Sequence, residues 1–555
     1  MTDMRRTLLW VVFTMSLVLL WDAWNKHNGQ PTLFGAPIAV AGASAPGSAP
    51  AGVPAPAAAA VAGPAGAIAA APATAPSEKF DVTTDVYKLS FDARGGDLAR
   101  AELLKFKDDI DPTRQVVLLD DSKDRVYLAQ TGLIPSAGGA ALPTHFTQLK
   151  ALPGERVLKD GVDQLEVKFE SPEVGGVKLI KTYTLKRGDY TIGVKHEVQN
   201  VGAAPVQPQL YLQLLRDGNA PPGGSSFYST FTGPALYTEA KKFEKVEFKD
   251  IAKRAEGEKP AHQTSANEGW IAMVQHYFTS AWLVADGSPR EFRTSKVKDN
   301  LFSVAMVQPL GVIAPGASVA NEARLYVGPQ EEFKLAALAP GLELVKDYGM
   351  FHLLSKPLFW LLTQLNALLH NWGWSIIALV VLLKIAFYWL NAKAYKSMAK
   401  MKAINPKVME LRERYKDEPQ KMQQEMMRIY REEKVNPLGG CLPIFIQMPF
   451  FMALYWVLLS TVEMRGAPWL GWITDLSAKD PLFILPVLMT ASSLFQVWLN
   501  PAPTDPMQAK MMWIMPLAFS FMFFFFPSGL VLYWLVNNIL SIAQQWVINK
   551  RLGVN

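Results

Sequence analysis

Residues 375–389 read SIIALVVLLKIAFYW, an apolar run with a single formal charge, that of Lys384. With its neighbours, this run is long enough to cross the hydrocarbon core of a bilayer. A charge inside a bilayer is costly and normally faces water or a partner. Two interpretations of Lys384 stay open, because its side chain could snorkel to the interface or face a hydrated cavity. No other apolar window of the chain contains a carboxylate to pair with it, which favours the cavity.

Four more apolar windows follow in the C-terminal part of the chain, and one lies near the N-terminus. Together they predict six transmembrane helices, five of them in a bundle formed by residues 374–555. The five C-terminal spans are expected at residues 374–390, 441–460, 482–499, 511–526 and 530–548. The third and fourth have 18 and 16 residues, about 27 and 24 Å of helix against a core of about 30 Å, which predicts local thinning of the bilayer.

The distribution of Lys and Arg predicts the orientation of the bundle. Residues 391–440 contain twelve of these residues, whereas residues 461–481 contain two. The positive-inside rule therefore places residues 391–440 in the cytoplasm, together with both chain termini. Helix-forming sequence on either side of Asp417-Glu418-Pro419 predicts that residues 391–440 form a helical hairpin.

The N-terminal apolar run follows Arg5 and Arg6 and is either a cleaved signal peptide or a transmembrane anchor. Small residues near Ala43 and Ala45 resemble a cleavage site, but Trp21 and Trp24 suit a membrane interface. We therefore expect an uncleaved anchor at residues 1–25. Residues 26–77 are mostly Ala, Pro and Gly, which cannot bury enough apolar surface to order the chain. A flexible tether is expected there.

Residues 78–340 predict an all-β domain. Stretches such as 164–171 and 177–200 alternate between apolar and polar residues, are rich in β-branched and aromatic side chains, and are separated by Gly-containing turns. A domain of this length is large enough for a two-sheet sandwich. Because the anchor before it runs from inside to outside, the domain is expected in the periplasm. Residues 341–373 predict an amphipathic helix at the outer membrane interface.

Polar residues within the apolar windows are candidates for the wall of a hydrated groove around Lys384. Each of them could instead form a hydrogen bond between helices, which is the more common role of any single one. The combination of several polar groups with one cation favours a partly solvated interior. The predicted groove residues besides Lys384 are Gln447, Gln496, Asn537, Asn538, Ser541 and Gln544.

Methionines on the hairpin suggest either an adaptable partner surface or packing of one helix on the other; the candidates are Met398, Met401, Met422 and Met426. Catalytic chemistry is not indicated, because the only cysteine is Cys441 and no histidine lies beyond His370. No metal site, cofactor or catalytic residue is therefore predicted. The net charge of +6 is too modest, and too little concentrated, to predict direct binding of nucleic acid.

Several segments resemble the bacterial YidC family of membrane protein insertases, which belongs to a superfamily with the mitochondrial Oxa and chloroplast Albino insertases. The resemblance is carried by EKVNPLGGCLPIFIQMPFFMALY (433–455), YKSMAKMKAINPKV (395–408) and FPSGLVLYWLVNN (526–538). It extends into the β-domain through GWIAMVQHYFTSAWL (269–283). It implies an inner-membrane protein with five core spans around a hydrophilic groove, and a periplasmic domain with the supersandwich fold of sugar epimerases.

The resemblance also implies roles for particular residues. Lys384 falls where the family usually has an arginine in the groove, so the charge is kept but the planar five-donor fork is lost. Client segments would contact the apolar face that includes Met448, Pro449, Phe451, Tyr533 and Trp534. Implied partners are nascent membrane proteins, the Sec translocon, membrane lipids and, transiently through the cytoplasmic loops, the ribosome.

Two other function classes remain alternatives. A channel or solute carrier would need ion-binding carboxylates within the spans, and the sequence has none there. A sugar-processing enzyme on a membrane anchor would need histidines and carboxylates that converge in the β-domain. His145, His196, His262 and His276 are the candidates, and the sequence does not show whether they converge.

Overall fold

The computed structural model describes residues 78–136, 139–221, 230–255, 257–285, 287–415, 418–433, 442–500 and 506–551. The predicted anchor at 1–25 and the predicted tether at 26–77 lie outside these residues. The described chain forms two compact units that divide after Lys346.

The first unit is a sandwich of antiparallel strands. The strands are β1 (Lys79–Thr83), β2 (Tyr87–Asp92), β3 (Asp97–Lys107), β4 (Gln115–Asp121), β5 (Val126–Pro135), β6 (Lys150–Ala151), β7 (Gln164–Glu170), β8 (Val177–Lys186), β9 (Thr191–Asn200), β10 (Pro208–Asp217), β11 (Gly233–Thr238), β12 (Lys242–Lys245), β13 (Ser265–Ala266), β14 (Trp270–Val274), β15 (Phe278–Val284), β16 (Arg290–Lys298), β17 (Leu301–Pro309) and β18 (Ser318–Pro329). One sheet has the order β1-β2-β3-β4-β5-β10-β17-β16-β13, and the other has the order β12-β11-β14-β15-β18-β9-β8-β7-β6. Two short helices, α1 (Phe248–Lys253) and α2 (Glu332–Leu338), accompany the sheets.

The alternation in the sequence decides which side chains enter the core of this unit. Along β8, Leu179, Lys181 and Tyr183 are buried, while the residues between them are partly exposed. The tight turn from β8 to β9 uses Gly188 at φ +71°, a conformation that glycine adopts without strain. The predicted all-β sandwich is therefore confirmed, and the same period of two puts a lysine on the inner face.

The second unit is helical. Its first helix follows two short 3₁₀ turns, Leu342–Val345 and Gly349–Phe351, of which the former still belongs to the first unit. The helices are α3 (His352–Leu369), α4 (Trp372–Ala386), α5 (Tyr388–Arg414), α6 (Pro419–Glu432), α7 (Leu442–Ser460), α8 (Ile484–Leu499), α9 (Pro506–Phe523) and α10 (Ser528–Arg551). α10 packs against α4, α5, α7 and α8, so it is the central helix of this unit.

The span predicted at residues 374–390 is not one continuous helix. α4 ends at Ala386, and the chain bends by 68° before it continues as α5. At the bend, the Phe387 N–H bonds to the carbonyl oxygens of Leu383 and Ile385, which closes the last turn of α4. The sequence did not reveal this bend, because no proline or glycine marks it and the apolar composition continues through it.

None of the helices in the described residues is by itself both long and apolar enough to span a membrane; α4 meets that criterion only together with Tyr388–Met401, across the bend. Shorter apolar helices occur at Ile446–Ser460, Ile484–Leu499 and Ala509–Phe523.

The segments predicted on either side of the bundle are also helical. α3 occupies most of the predicted interfacial segment 341–373 and packs against α4 and α7, with Ser355 Oγ donating to the Ala453 carbonyl at 3.2 Å. Leu353 and Leu368 remain largely exposed. The predicted hairpin corresponds to α5 and α6, but α5 begins at Tyr388 rather than at residue 391.

Candidate functional site

A cavity of about 230 Å³ lies between α4, α5, α7 and α10 in the helical unit. We call it the Lys384 cavity. Its wall is mostly apolar, and among the described residues that line it Lys384 carries the only charge. The lining residues are Val380, Leu383, Lys384, Phe387, Asn391, Gln447, Met448, Phe450, Phe451, Leu454, Tyr533 and Asn537.

Lys384 lies in the last turn of α4, directly before the bend. Its Nζ donates to Ser541 Oγ on α10 at 2.6 Å, and Ser541 Oγ donates in turn to the Asn537 carbonyl at 2.7 Å. The carbonyl end of a helix attracts positive charge, so this position suits a lysine. The side chain is thus held toward the cavity by a neutral hydroxyl, which fits the hydrated-cavity interpretation better than snorkelling.

A second polar contact crosses the cavity wall. Gln447 Nε2 on α7 donates to Asn391 Oδ1 on α5 at 2.6 Å, and Asn391 is almost fully buried. Gln447 was predicted as a groove residue, but Asn391 was not, because it was assigned to the loop after a straight span. The bend after α4 brings Asn391 to the cavity, and sequence periodicity across residues 384–391 gave no signal of that bend.

The other predicted groove residues divide between two sides of α10. Asn537 lines the cavity and Ser541 binds Lys384, whereas Gln544 Nε2 donates to the Tyr388 carbonyl at 3.3 Å. Asn538 was predicted for the groove but faces α8, where its Nδ2 donates to Ser492 Oγ at 2.8 Å. The structure corrects that prediction, because neighbouring residues on a helix point in directions about 100° apart.

Two further glutamines, Gln496 and Gln545, are not among the residues that line the cavity. Gln496 is on α8, is partly exposed and does not line the cavity. Gln545 was not singled out from the sequence, yet it is buried and its Nε2 donates to Asn500 Oδ1 at 2.9 Å. The signal for it was its spacing of seven residues from Asn538, which puts both on one face of α10.

The predicted client-contact residues are only partly on the cavity wall. Met448, Phe451 and Tyr533 line it, while Pro449 does not. Trp534 is buried, with its ring stacked on that of Phe451 at 5.4 Å between centroids. The structure therefore places Trp534 in the aromatic core behind the wall.

The burial of the hairpin methionines bears on whether they form a partner surface or pack one helix of the hairpin on the other. Met398, Met401, Met422 and Met426 are all partly buried. Partial burial fits packing within the hairpin, where α5 contacts α6. None of these four is among the strongly exposed apolar residues of the hairpin, which include Met409 and Met427.

Three of the four histidines of the β-sandwich are buried, namely His145, His196 and His262. His196 Nε2 bonds to Thr131 Oγ1 at 2.9 Å, and His145 Nδ1 bonds to the Tyr211 hydroxyl at 2.5 Å. Both histidines are buried, and His262 bonds elsewhere, to Thr294. A larger cavity of about 370 Å³ in this unit, which includes Gln209 and Arg290, has none of the four histidines among its lining residues.

A buried ion pair lies beside His196. Lys181 Nζ donates to Asp97 Oδ1 at 2.9 Å and to the carbonyl oxygens of Gly95 and Thr131, which uses all three of its protons. Burial raises the pKa of Asp97 to about 6, and the charge of Lys181 opposes that rise. Burial also lowers the pKa values of His145 and His196 to about 3, with a further contribution from Lys181. The network joins the two sheets, which is a structural role.

Within the described residues, no group of three or more His, Cys, Asp or Glu side chains is arranged to hold a metal ion.

Comparisons with known proteins match each of the two units to a family, and full-length relatives cover both units. Residues 79–361 match the family described as YidC periplasmic domain, and residues 364–554 match the family described as 60Kd inner membrane protein. The membrane protein insertase YidC of Cupriavidus necator is 55% identical over 560 residues, which cover 99% of this chain and 98% of the relative. The same protein of Bordetella pertussis is 52% identical over 559 residues, with coverage of 99% and 98%.

Among solved structures, an active YidC insertase with its first transmembrane domain resolved is similar to this chain at 20% identity and a TM-score of 0.39. The similarity covers 85% of this chain and 92% of that one.

Proposed function

Since the chain belongs to the YidC family of membrane protein insertases, it is a membrane protein insertase, and we propose that clients enter it at the Lys384 cavity. The observation that carries this proposal is the position of one cation on the wall of an otherwise mostly apolar cavity. In this proposal, the hydrophilic segment of a client occupies the cavity while its apolar segment lies against the exposed helices beside it.

The polar wall lowers the cost of bringing a hydrophilic segment into the membrane. Removing a polar or charged group from water is expensive unless hydrogen bonds replace those to water. Gln447, Asn391 and Asn537 offer such bonds around the cavity, and they can also hold water there. A client tail would therefore keep part of its hydration on its way across.

The charge of Lys384 favours acidic client tails. Two unit charges about 4 Å apart interact by about 1 kcal/mol in water and about 4 kcal/mol at the effective dielectric of a protein surface. Lysine acts as a point charge rather than a planar fork, so it attracts carboxylates without demanding one orientation. Ser541 holds the ammonium group in place, and it is the one hydrogen-bond partner of that group among the described residues, so two of the three protons can bind water or a client.

The apolar segment of a client supplies the driving force. Burial of a 20-residue apolar segment in lipid is strongly favourable, so no nucleotide is required. Met448 and Ile446 on α7, together with Trp513 on α9, are strongly exposed apolar residues in the helical unit and provide a surface for it. α8, at 16 residues, is about 24 Å long, and we propose that such short helices thin the bilayer around the cavity.

The family is one of inner-membrane proteins with a periplasmic domain. We propose that both chain termini and the α5–α6 hairpin are cytoplasmic, because Lys and Arg concentrate there. We further propose six transmembrane helices, contact with the Sec translocon, and a transient contact of the cytoplasmic loops with the ribosome.

The test is insertion of a small client with an acidic translocated tail, in cells depleted of the native protein. We expect Lys384→Arg to support insertion, Lys384→Ala to reduce it about tenfold, which corresponds to about 1.4 kcal/mol, and Lys384→Glu to abolish it. A client whose tail is neutral serves as the control and should respond much less to Lys384→Ala. Equal insertion by all four proteins would rule out an electrostatic role for Lys384 and leave hydration and bilayer thinning.

A further inference from the structure

The first 22 residues of α5 are strongly basic. Between Tyr388 and Met409 the helix contains five lysines and no Asp or Glu, and the first carboxylate of α5 is that of Glu410. The lysines are Lys393, Lys396, Lys400, Lys402 and Lys407. A concentration of one sign of charge over about 30 Å of helix needs counter-ions from outside it.

Three of these lysines lie on one exposed face with Trp389. Spacings of four, three and four residues place Trp389, Lys393, Lys396 and Lys400 within about 60° of each other around the helix axis. All four side chains are exposed, whereas Ala394 on another face is buried. The Nζ of Lys393 lies 3.6 Å from the centroid of the Trp389 ring. We call these four residues the α5 basic face.

The charges of the α5 basic face are not neutralised by neighbouring carboxylates. In the part of the chain that the structure describes, neither Lys396 nor Lys400 forms an ion pair. Other basic residues of the hairpin do, since Lys407 pairs with Glu433 at 2.6 Å and Lys421 pairs with Glu418 at 2.5 Å. Lys396 and Lys400 therefore differ from Lys407, Lys421 and Arg428, which have carboxylate partners.

The position of the face indicates which anion it meets. It begins directly after α4, and the residues on either side of the bend include the exposed apolar side chains of Leu382, Ile385 and Trp389. Tryptophan suits the level of the lipid headgroups. Lys393 is four residues beyond Trp389, about 6 Å along the helix. Because α5 leaves α4 at 68°, it runs nearer to the membrane plane than to its normal when α4 crosses the bilayer.

We propose that the α5 basic face binds the phosphate groups of anionic phospholipids. Trp389 anchors the start of the helix among the headgroups, and the three lysines attract the negative surface beside it. The exposed apolar residues Leu382, Ile385 and Trp389 next to the face favour lipid over RNA, because an RNA-binding face would have to point away from the membrane. This surface is distinct from the Lys384 cavity, and the inference does not depend on how clients enter that cavity.

The test compares amide hydrogen exchange of residues 389–400 in the full-length protein in two kinds of nanodisc. One contains phosphatidylcholine alone, and the other contains about 30% phosphatidylglycerol. We expect exchange to be at least about threefold slower in the anionic nanodiscs, and the difference to shrink at high salt because salt screens exposed charges. The triple variant Lys393→Gln, Lys396→Gln, Lys400→Gln should lose the difference.

Lys421→Gln is the matched control, because Lys421 is exposed on the same hairpin but paired with Glu418. It should keep the full difference between the two lipids. Equal exchange of the unaltered protein in both lipids would overturn the proposal, and so would persistence of the difference in the triple variant. Protection that appears only when ribosomes are added, in either lipid, would assign the face to RNA instead.

Discussion

The ammonium group of Lys384 is held by one side chain, that of Ser541, which lies 157 positions later in the sequence. This contact explains how a lysine remains in a largely apolar bundle without a carboxylate partner. A neutral hydroxyl satisfies part of its hydrogen-bonding capacity but does not cancel its charge. The charge therefore stays available to whatever enters the cavity.

At this scale we predict the effect of Ser541→Ala. The variant loses the hydrogen bond that positions Lys384, but water in the cavity can replace it, so insertion of a client with an acidic tail should fall only about two- to fivefold. The measurement is the same insertion assay as for Lys384. Ser493→Ala, on α8, is the matched control. Its Oγ makes only a long contact of 3.4 Å with Asn538 Nδ2, which keeps its 2.8 Å bond to Ser492, so insertion should be unchanged. An equal fall in both variants would contradict a specific role of Ser541.

At the scale of single elements, α10 has different polar partners on its two sides. Asn537 and Ser541 face the Lys384 cavity, whereas Asn538 binds Ser492 of α8 and Gln545 binds Asn500, the residue directly after α8. Hydrogen bonds between helices in a membrane are individually modest, on average about 0.6 kcal/mol. Two of them along one interface nevertheless fix the rotation of α10, and that rotation decides which residues reach the cavity.

Two adjacent glutamines test this view of α10. Gln545→Ala removes the buried bond to Asn500 and should lower the free energy of unfolding by about 1 kcal/mol. Gln544→Ala removes only a long contact of 3.3 Å to a backbone carbonyl, so it should have almost no effect. Equilibrium unfolding of the purified protein in mixed micelles measures both. A larger loss for Gln544→Ala than for Gln545→Ala would show that α10 is rotated differently.

At the scale of the whole molecule, buried titratable groups make the stability of the β-sandwich depend on pH. The unfolded histidines bind a proton below about pH 6.5, whereas burial keeps His145 and His196 neutral in the folded sandwich down to about pH 3. Each of them therefore lowers stability as the pH falls, by about 1.4 kcal/mol per pH unit. Asp97 acts in the opposite direction, because folding raises its pKa to about 6 and the folded state binds a proton first.

The histidines outweigh the single carboxyl group, and His262, whose pKa burial also lowers, acts in the same direction as His145 and His196. We therefore predict that the sandwich loses at least about 1.4 kcal/mol per pH unit as the pH falls from about 6 to about 4. His196→Gln removes one of these histidines and should reduce the slope by about 1.4 kcal/mol per pH unit. Amide hydrogen exchange of β8 and β9 in the full chain, corrected for the intrinsic rate, measures this. His276→Gln, in the turn between β14 and β15, is the control and should keep the slope of the unaltered protein.

The sequence predicted most of the architecture, because alternation and hydropathy depend on neighbouring residues. The period of two along 164–170 and 177–200 gave the strands, and the apolar windows gave α7, α8, α9 and α10 to within a few residues. It also identified Lys384, since a charge in an apolar run is visible in a single window. The family followed from motifs of the same local kind, and the comparisons confirm it.

The tertiary structure alone decided how these pieces meet. Only packing shows that the chain bends after Ala386, that Asn391 reaches the cavity, and that Asn538 turns away from it. Ser541 becomes the partner of Lys384 because α10 packs on α4, although the two residues are far apart in the sequence. Hydropathy reports whether a residue avoids water, whereas the direction in which it points depends on helix rotation, and contacts between distant segments set that rotation.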